Sequence, residues 1–116
     1  MHELSLAMAL VEQVLRVKEE QHASAIVSIK LSMGALAGVN REAFAFAFPL
    51  AAEGTGAEHA KLEIEEVAAE VTCDACGQRS TPGLMHMRCT ACGSTQVRIT
   101  AGRDFLVKSV ELQTKS

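Results

Sequence analysis

Apolar residues in the first twenty positions recur at helical spacing: Leu4, Ala7, Met8, Val11, Val14 and Leu15, with Glu12, Gln13, Arg16 and Glu19 mostly on the opposite face. The pattern predicts a helix over residues 4–20, with Ser5 placed to cap it and Glu3 favouring its positive end. Ala25, Val27, Ile29 and Leu31 then alternate with Ile26, Ser28 and Lys30, which predicts a strand. Gly34 and Gly38 bracket a loop. Asn40 is the N-cap of a second helix starting near Arg41. Between Ala43 and Phe48 two periods compete. Phe44, Phe46 and Phe48 alternate with Ala at strand period, yet Phe44 and Phe48 are also a helical i,i+4 pair and Ala is the best helix former. The cap and the alanines decide for helix, which Pro49 is expected to end or kink. The three phenylalanines are expected in the core.

Residues 53–59 read as a loop with Gly54 and Gly56. Residues 61–71 read as one strand, with a phase slip at Glu65-Glu66 that predicts a bulge. Residues 96–100 and 104–112 form an expected hairpin across Ala101-Gly102. The segments 1–71 and 104–116 are expected to form one α+β layer pair, and 72–103 an insertion between strand-like flanks.

At 116 residues the chain suits one domain, or two very small ones. Hydrophobic residues make up 48% and charged residues 22%, enough apolar content to fold. With no Trp or Tyr and four Phe, the core is aliphatic and small, and chains of this size often add a metal or a disulfide. No apolar run reaches the roughly 18–20 residues that span a bilayer, and no stretch reads as a signal peptide, so the expected location is cytoplasmic. Residues 1–71 carry five cations against eleven anions, whereas 72–103 carry Arg79, Arg88, Arg98 and Arg103 against Asp74. An acidic chain is a poor general nucleic-acid binder.

The four cysteines, Cys73, Cys76, Cys89 and Cys92, form two CxxCG knuckles with 12 residues between Cys76 and Cys89. Two intervening residues let both sulfurs of a knuckle turn toward one ion, and Gly77 and Gly93 relieve the tight turn that follows. Four thiolates are the tetrahedral set zinc prefers, with no open position, so the site is expected to be structural. Free thiols, two disulfides and an iron–sulfur centre are the other readings of the same spacing. No Trp or Tyr in this segment offers a stacking platform for bases.

The sequence begins Met1-His2-Glu3. The Met1 α-amine, the His2 amide and imidazole, and the Glu3 amide lie within one chelating stretch. Small chelate rings of nitrogen donors suit square-planar Ni(II) or Cu(II). A solvated terminal histidine is the plain alternative. Elsewhere the bland readings stand: Met85-His86-Met87 as a loop, His22 and His59 as solvated turns, and Glu63, Glu65, Glu66 and Glu70 as a solvent face. No nucleophile pattern or phosphate-binding loop appears, so the chain is not read as an enzyme.

MHELSLA, GALAGVNREAFAFAF, LEIEEV, the paired CxxCG knuckles and the closing GRDFLVKSVEL together resemble the HypA/HybF family of hydrogenase-maturation nickel chaperones, across nearly the whole chain. The resemblance implies an α+β fold: a nickel-binding domain (1–71 plus 104–116) of two helices on a three-stranded sheet, with an inserted zinc-ribbon domain (72–103). It implies Zn(2+) on Cys73, Cys76, Cys89 and Cys92 as structural cofactor. Ni(2+) is the transferred cargo, held by His2, the Met1 terminal amine and backbone nitrogen of Glu3. Glu3's carboxylate takes an orienting or partner-facing role. The implied partners are the GTPase HypB and the [NiFe]-hydrogenase large subunit, with no nucleic acid and no membrane, the chain being monomer or homodimer. Some relatives serve urease. Certain relatives have an acidic residue where Asn40 stands, and others carry His beside the knuckles where Gly77-Gln78 and Gly93-Ser94 stand here. The rival functions are a zinc-ribbon nucleic-acid-binding module and a structural adaptor.

Overall fold

The first apolar stripe winds into helix α1 (His2–Glu20) in the computed structural model, which describes residues 2–114. The helix starts two residues ahead of its apolar pattern, so Ser5 lies inside the first turn and is not its cap. The reason is Glu3. Its carboxylate accepts a hydrogen bond from the backbone N–H of Asn40 at 3.2 Å and fastens the first turn. α1 buries Ala7, Leu10, Val11 and Val14, while Met8 on the edge of the stripe is exposed.

Strand β1 (Ala23–Gly34) is longer than its alternation and changes phase. Ile26 is buried and Val27 exposed, and three places on Ile29 and then Leu31 are buried. Of the alternating set, Ile29 and Leu31 are buried and Val27 is not. Helix α2 (Arg41–Ala52) begins where expected: the Asn40 side-chain oxygen accepts from the N–H of Ala43 at 2.8 Å. Pro49 does not end it. A proline removes one N–H, but the helix continues to Ala52, which is buried, and the Pro49 carbonyl still accepts from Glu53 at 3.1 Å. Phe44 and Phe48 are buried in accord with helical period, whereas Phe46 is 75% exposed and leaves the expected core.

The predicted strand over 61–71 is two strands, β2 (Lys61–Val67) and β3 (Glu70–Cys73), parted at Ala68-Ala69. They join different sheets. One sheet has the order β2-β1-β6, with β6 at Phe105–Thr114. The other has β3 between β4 (Arg79–Ser80) and β5 (Val97–Ala101), both pairs antiparallel, with Val71 opposite Ser80 on one side and Ile99 on the other. β5 and β6 are therefore not a hairpin. The expected pairing across Ala101-Gly102 fails because each strand finds its partner elsewhere. Within β2 the burial alternation changes phase at Glu65 and Glu66, both exposed, where the sequence pattern slips, and the β3–β5 register has a separate irregularity at Glu70/Val71.

The chain forms two compact units. The first comprises Met1–Leu31, Val39–Glu65 and Leu106–Ser116; in it α1 packs on α2 over Leu10, Val14, Phe44 and Phe48, with Ile26, Ile29 and Leu31 beneath. The second comprises Ser32–Gly38 and Glu66–Phe105. Its base is a backbone clasp. Gly34 N–H donates to Asp104 O at 2.7 Å, Ala35 N–H to Val67 O at 2.8 Å, and Leu36 N–H to Gly102 O at 2.7 Å. Two glycines allow this approach: a Cβ on Gly34 would run into Gly102, and one on Gly102 would stand 2.7 Å from the Ala69 Cα. No described helix is long and apolar enough to cross a membrane.

Candidate metal centres

β3 ends at Cys73 and sets the first knuckle; the second stands on the chain returning toward β5. Each knuckle closes by the same backbone bonds. Gly77 N–H donates to Cys73 O at 2.9 Å and Cys73 N–H to Gln78 O at 2.9 Å; in the second, Gly93 N–H donates to Cys89 O at 2.8 Å and Cys89 N–H to Ser94 O at 2.9 Å. Gly77 and Gly93 both have φ +78°, a left-handed conformation that side chains with a Cβ rarely adopt. The turn aims amide hydrogens at sulfur: Ala75 and Cys76 N–H approach the Cys73 Sγ at 3.3 and 3.4 Å.

All four Sγ atoms lie within 4.8 Å of one another, with Cys73–Cys92 and Cys76–Cys89 at 3.6 Å. A tetrahedron with metal–sulfur bonds of about 2.3 Å places its sulfurs about 3.8 Å apart. The geometry fits one tetrahedral ion, and the disulfide reading of the sequence does not describe this arrangement, since all four cysteines are free. Cys73 and Cys89 are buried at 2% and 1% exposure, and Cys76 and Cys92 face outward.

The thiols polarise in pairs. The Cys92 N–H, aided by that of Ala91 against burial, holds Cys89 down to about 6. The Cys76 N–H holds Cys73 low in the same way. Cys76 is pushed up to about 12: the Gln78 N–H acts to lower it, but burial and the three neighbouring sulfurs outweigh that bond. Cys92 is also raised, since Ser94 N–H lowers it less than Cys73 and burial raise it. Two sulfurs biased toward the thiolate and two toward the thiol make a site in which a dication displaces the remaining protons. These four residues could hold zinc.

The amino-terminal candidates lie at the start of α1. His2 is exposed and Met1 lies outside the described residues. Glu3, half-buried, is held below the usual carboxylate range first by the Asn40 N–H and then by its own backbone N–H. Its carboxylate thus faces the N-cap of α2. Sequence reasoning singled out both Glu3 and Asn40 but missed the bond between them, which joins positions 37 residues apart and has no local signal. The other histidines stay apart: His22 sits exposed in a turn at φ +52°, His59 is exposed 3.9 Å from Glu58, and His86 is exposed in the ribbon loop. Met85, beside it, is exposed too.

A His-Glu helix start on an α+β unit, together with a ribbon whose four thiols converge, defines a small metal-handling protein of two modules. The particular family follows from comparison. The family model named HypA, hydrogenase/urease nickel incorporation metallochaperone, matches residues 1–112, and the chain belongs to that family. The hydrogenase maturation factor HypA of Synechococcus elongatus is 45% identical over 112 residues, covering 97% of this chain and 99% of the relative. That of Archaeoglobus fulgidus is 38% identical over 113 residues, covering 97% and 99%. Among solved structures, one named HypA protein superposes with TM-score 0.73 at 25% identity, covering 99% of this chain and 98% of the other. The Ni metallochaperone HypA from Helicobacter pylori, at TM-score 0.68 and 23% identity over 97% and 98%, supports the fold alone.

Proposed function

We propose that the protein is a nickel metallochaperone of hydrogenase maturation: a carrier and not a catalyst, working in the cytoplasm. Nickel is its cargo, bound by the His2 imidazole, the Met1 amine and backbone nitrogen of His2 and Glu3. Zinc on Cys73, Cys76, Cys89 and Cys92 braces the ribbon. The division of labour is 1–71 plus 104–116 for nickel and 72–103 for zinc. HypB and the [NiFe]-hydrogenase large subunit are the proposed partners, with the chain as monomer or homodimer.

The observation that carries the reading is the anchored start of α1. The first four N–H groups of a helix have no carbonyl of their own turn to bond. A metal can therefore replace the amide protons of His2 and Glu3 without breaking the helix ladder. A dication at a helix N-terminus meets the positive end of the macrodipole, which is unfavourable. Loss of two amide protons cancels its charge, and the Glu3 carboxylate, pinned to the Asn40 N–H, adds a negative group beside it. Nickel uptake accordingly releases protons and weakens as the pH falls.

Two variants test this. Two residues added before Met1 remove the terminal amine from the chelate, and His2→Ala removes the imidazole. Each is expected to lower nickel affinity by about a hundredfold or more, on the order of 3 kcal/mol, with zinc content by metal analysis unchanged. Calorimetric titration showing undiminished nickel uptake in both variants would leave the structural-adaptor reading in place.

A further inference from the structure

We propose that the groove between α2 and the open edge of β2 takes up an extended, cationic segment of a partner protein, which joins the sheet as a fourth strand. Among the described residues β2 is an outer strand, with β1 on one side and no strand on the other. Its outward N–H and C=O groups are a template for a further strand. Such a strand needs room for its inward side chains, and the room is present. A groove of about 330 Å³ lies along this edge, walled by Leu62 and Ile64 from β2 and by Ala45, Phe48 and Pro49 from α2. Arg41, Glu42 and Ala60 complete its lining. The groove exists because position 45 is Ala: a larger side chain on that exposed face of α2 would fill it. Pro49 contributes a second feature. It lacks an N–H, so the Ala45 carbonyl on the same wall loses its usual helical donor.

The charge pattern selects the occupant. Leu62 and Ile64 face the groove, so Lys61, Glu63 and Glu65 lie on the opposite face of β2. Across an added strand the directly opposed side chains stand about 5 Å away and the diagonal ones about 7–8 Å. The charges of β1 are a further strand spacing, about 4.8 Å, beyond these, at roughly the screening length of about 8 Å. On the nearest strand Glu63 and Glu65 outnumber Lys61, so the incoming strand meets a net negative charge on that face. Their present ion pairs, with Lys61 at 3.9 Å and Lys108 at 3.6 Å, are exposed and weak, so an incoming cation can compete. The occupant has apolar residues at alternate positions toward the groove and Lys or Arg between them.

The probe is an eight-residue peptide alternating valine and lysine, acetylated and amidated, carrying a fluorophore, and titrated with the full chain. Anisotropy is expected to show binding at least about tenfold tighter than for the valine–glutamate counterpart or for a scramble of the same composition. Ala45→Phe, on an exposed helix face, fills the groove and is expected to weaken binding at least about tenfold. Glu63→Lys with Glu65→Lys leaves the groove intact and is expected to reverse the preference between the two peptides. Amide shifts by NMR are expected along β2 and α2. Equal binding of both peptides, indifference to Ala45→Phe in a folded variant, or shifts confined to another surface would each overturn the proposal. Sedimentation showing a dimer that buries β2 would overturn it in favour of a second copy of this chain. Should Ala45→Phe fail to fold, the charge-reversal pair decides alone. Nickel takes no part in the assay, so the result stands apart from that of the terminal site.

Discussion

Glu3 carries more of the amino-terminal region than its neighbours do. Its carboxylate bonds the Asn40 amide, and Asn40 in turn accepts from Ala43 to cap α2, so three residues tie the starts of two helices together. The folded carboxylate holds its proton less readily than its ordinary value of 4.5, owing first to the Asn40 N–H. Folding is thus favoured by this group above that value, and the contribution disappears as the pH falls through the lower folded pKa. Glu3→Gln is expected to lower the thermal midpoint near neutrality, and the gap from the unaltered chain is expected to close as the pH drops below 4.5. Melts across an acid series check this; a gap that stays constant with pH would assign the loss to packing and not to charge. The candidate residues themselves were readable, because Cys spacing and a His at position 2 are facts of order along the chain. Which acceptor the Glu3 carboxylate meets depends on how two helices approach, and no local pattern holds that.

At the scale of the element, α2 shows what periodicity settles and what it leaves open. Asn40 announces the helix because its side-chain oxygen replaces a missing acceptor for an orphan N–H. Phe44 and Phe48 fall on one helical face and Phe46 on the other, so choosing helix over strand already divides the phenylalanines. Treating all three as core kept the strand pattern after helix had been chosen. Phe44 is 0% exposed, and Phe44→Ala is expected to cost about 3–5 kcal/mol in urea unfolding. Phe46→Ala is expected to change stability by no more than about 0.5 kcal/mol. Comparable losses in both would refute the helical assignment of the faces. Pro49 fails to end α2 for a related reason. Its cost in a helix is local, about 3 kcal/mol, and the burial of Ala52 beyond it is tertiary.

Across the whole molecule, the division of the chain between two sheets was the least legible feature. Residues 61–71 keep a nearly continuous alternation, and Ala101-Gly102 looks like a tight turn, yet β2 and β3 part company and β5 and β6 never pair. Strand partners are chosen by what lies across the sheet, and the backbone clasp of Gly34 with Gly102 is visible only in three dimensions. The same contrast separates the units by what holds them. The first has Leu10, Val14, Ile26, Ile29, Leu31, Phe44 and Phe48 as a buried aliphatic and aromatic core. In the second the buried apolar side chains are Met33, Ala69, Val71, Pro82, Cys73 and Cys89, a smaller set in which two are candidate metal ligands. So few buried apolar groups offset little of the ordering entropy, about 1–2 kcal/mol per residue for backbone alone, and the proposed zinc on the four thiols would supply much of the balance. Removal of zinc by a chelator is therefore expected to erase hydrogen-exchange protection at Thr72, Cys73, Val97 and Arg98 while leaving α1 and β1 protected up to Leu31. Serine at Cys89 is expected to reproduce the pattern without chelator, because it takes away one of four thiolates and one buried side chain together. Loss of protection throughout α1 on the same timescale would mean that the first unit needs the metal as well, and the aliphatic core would then be less sufficient than its burial implies.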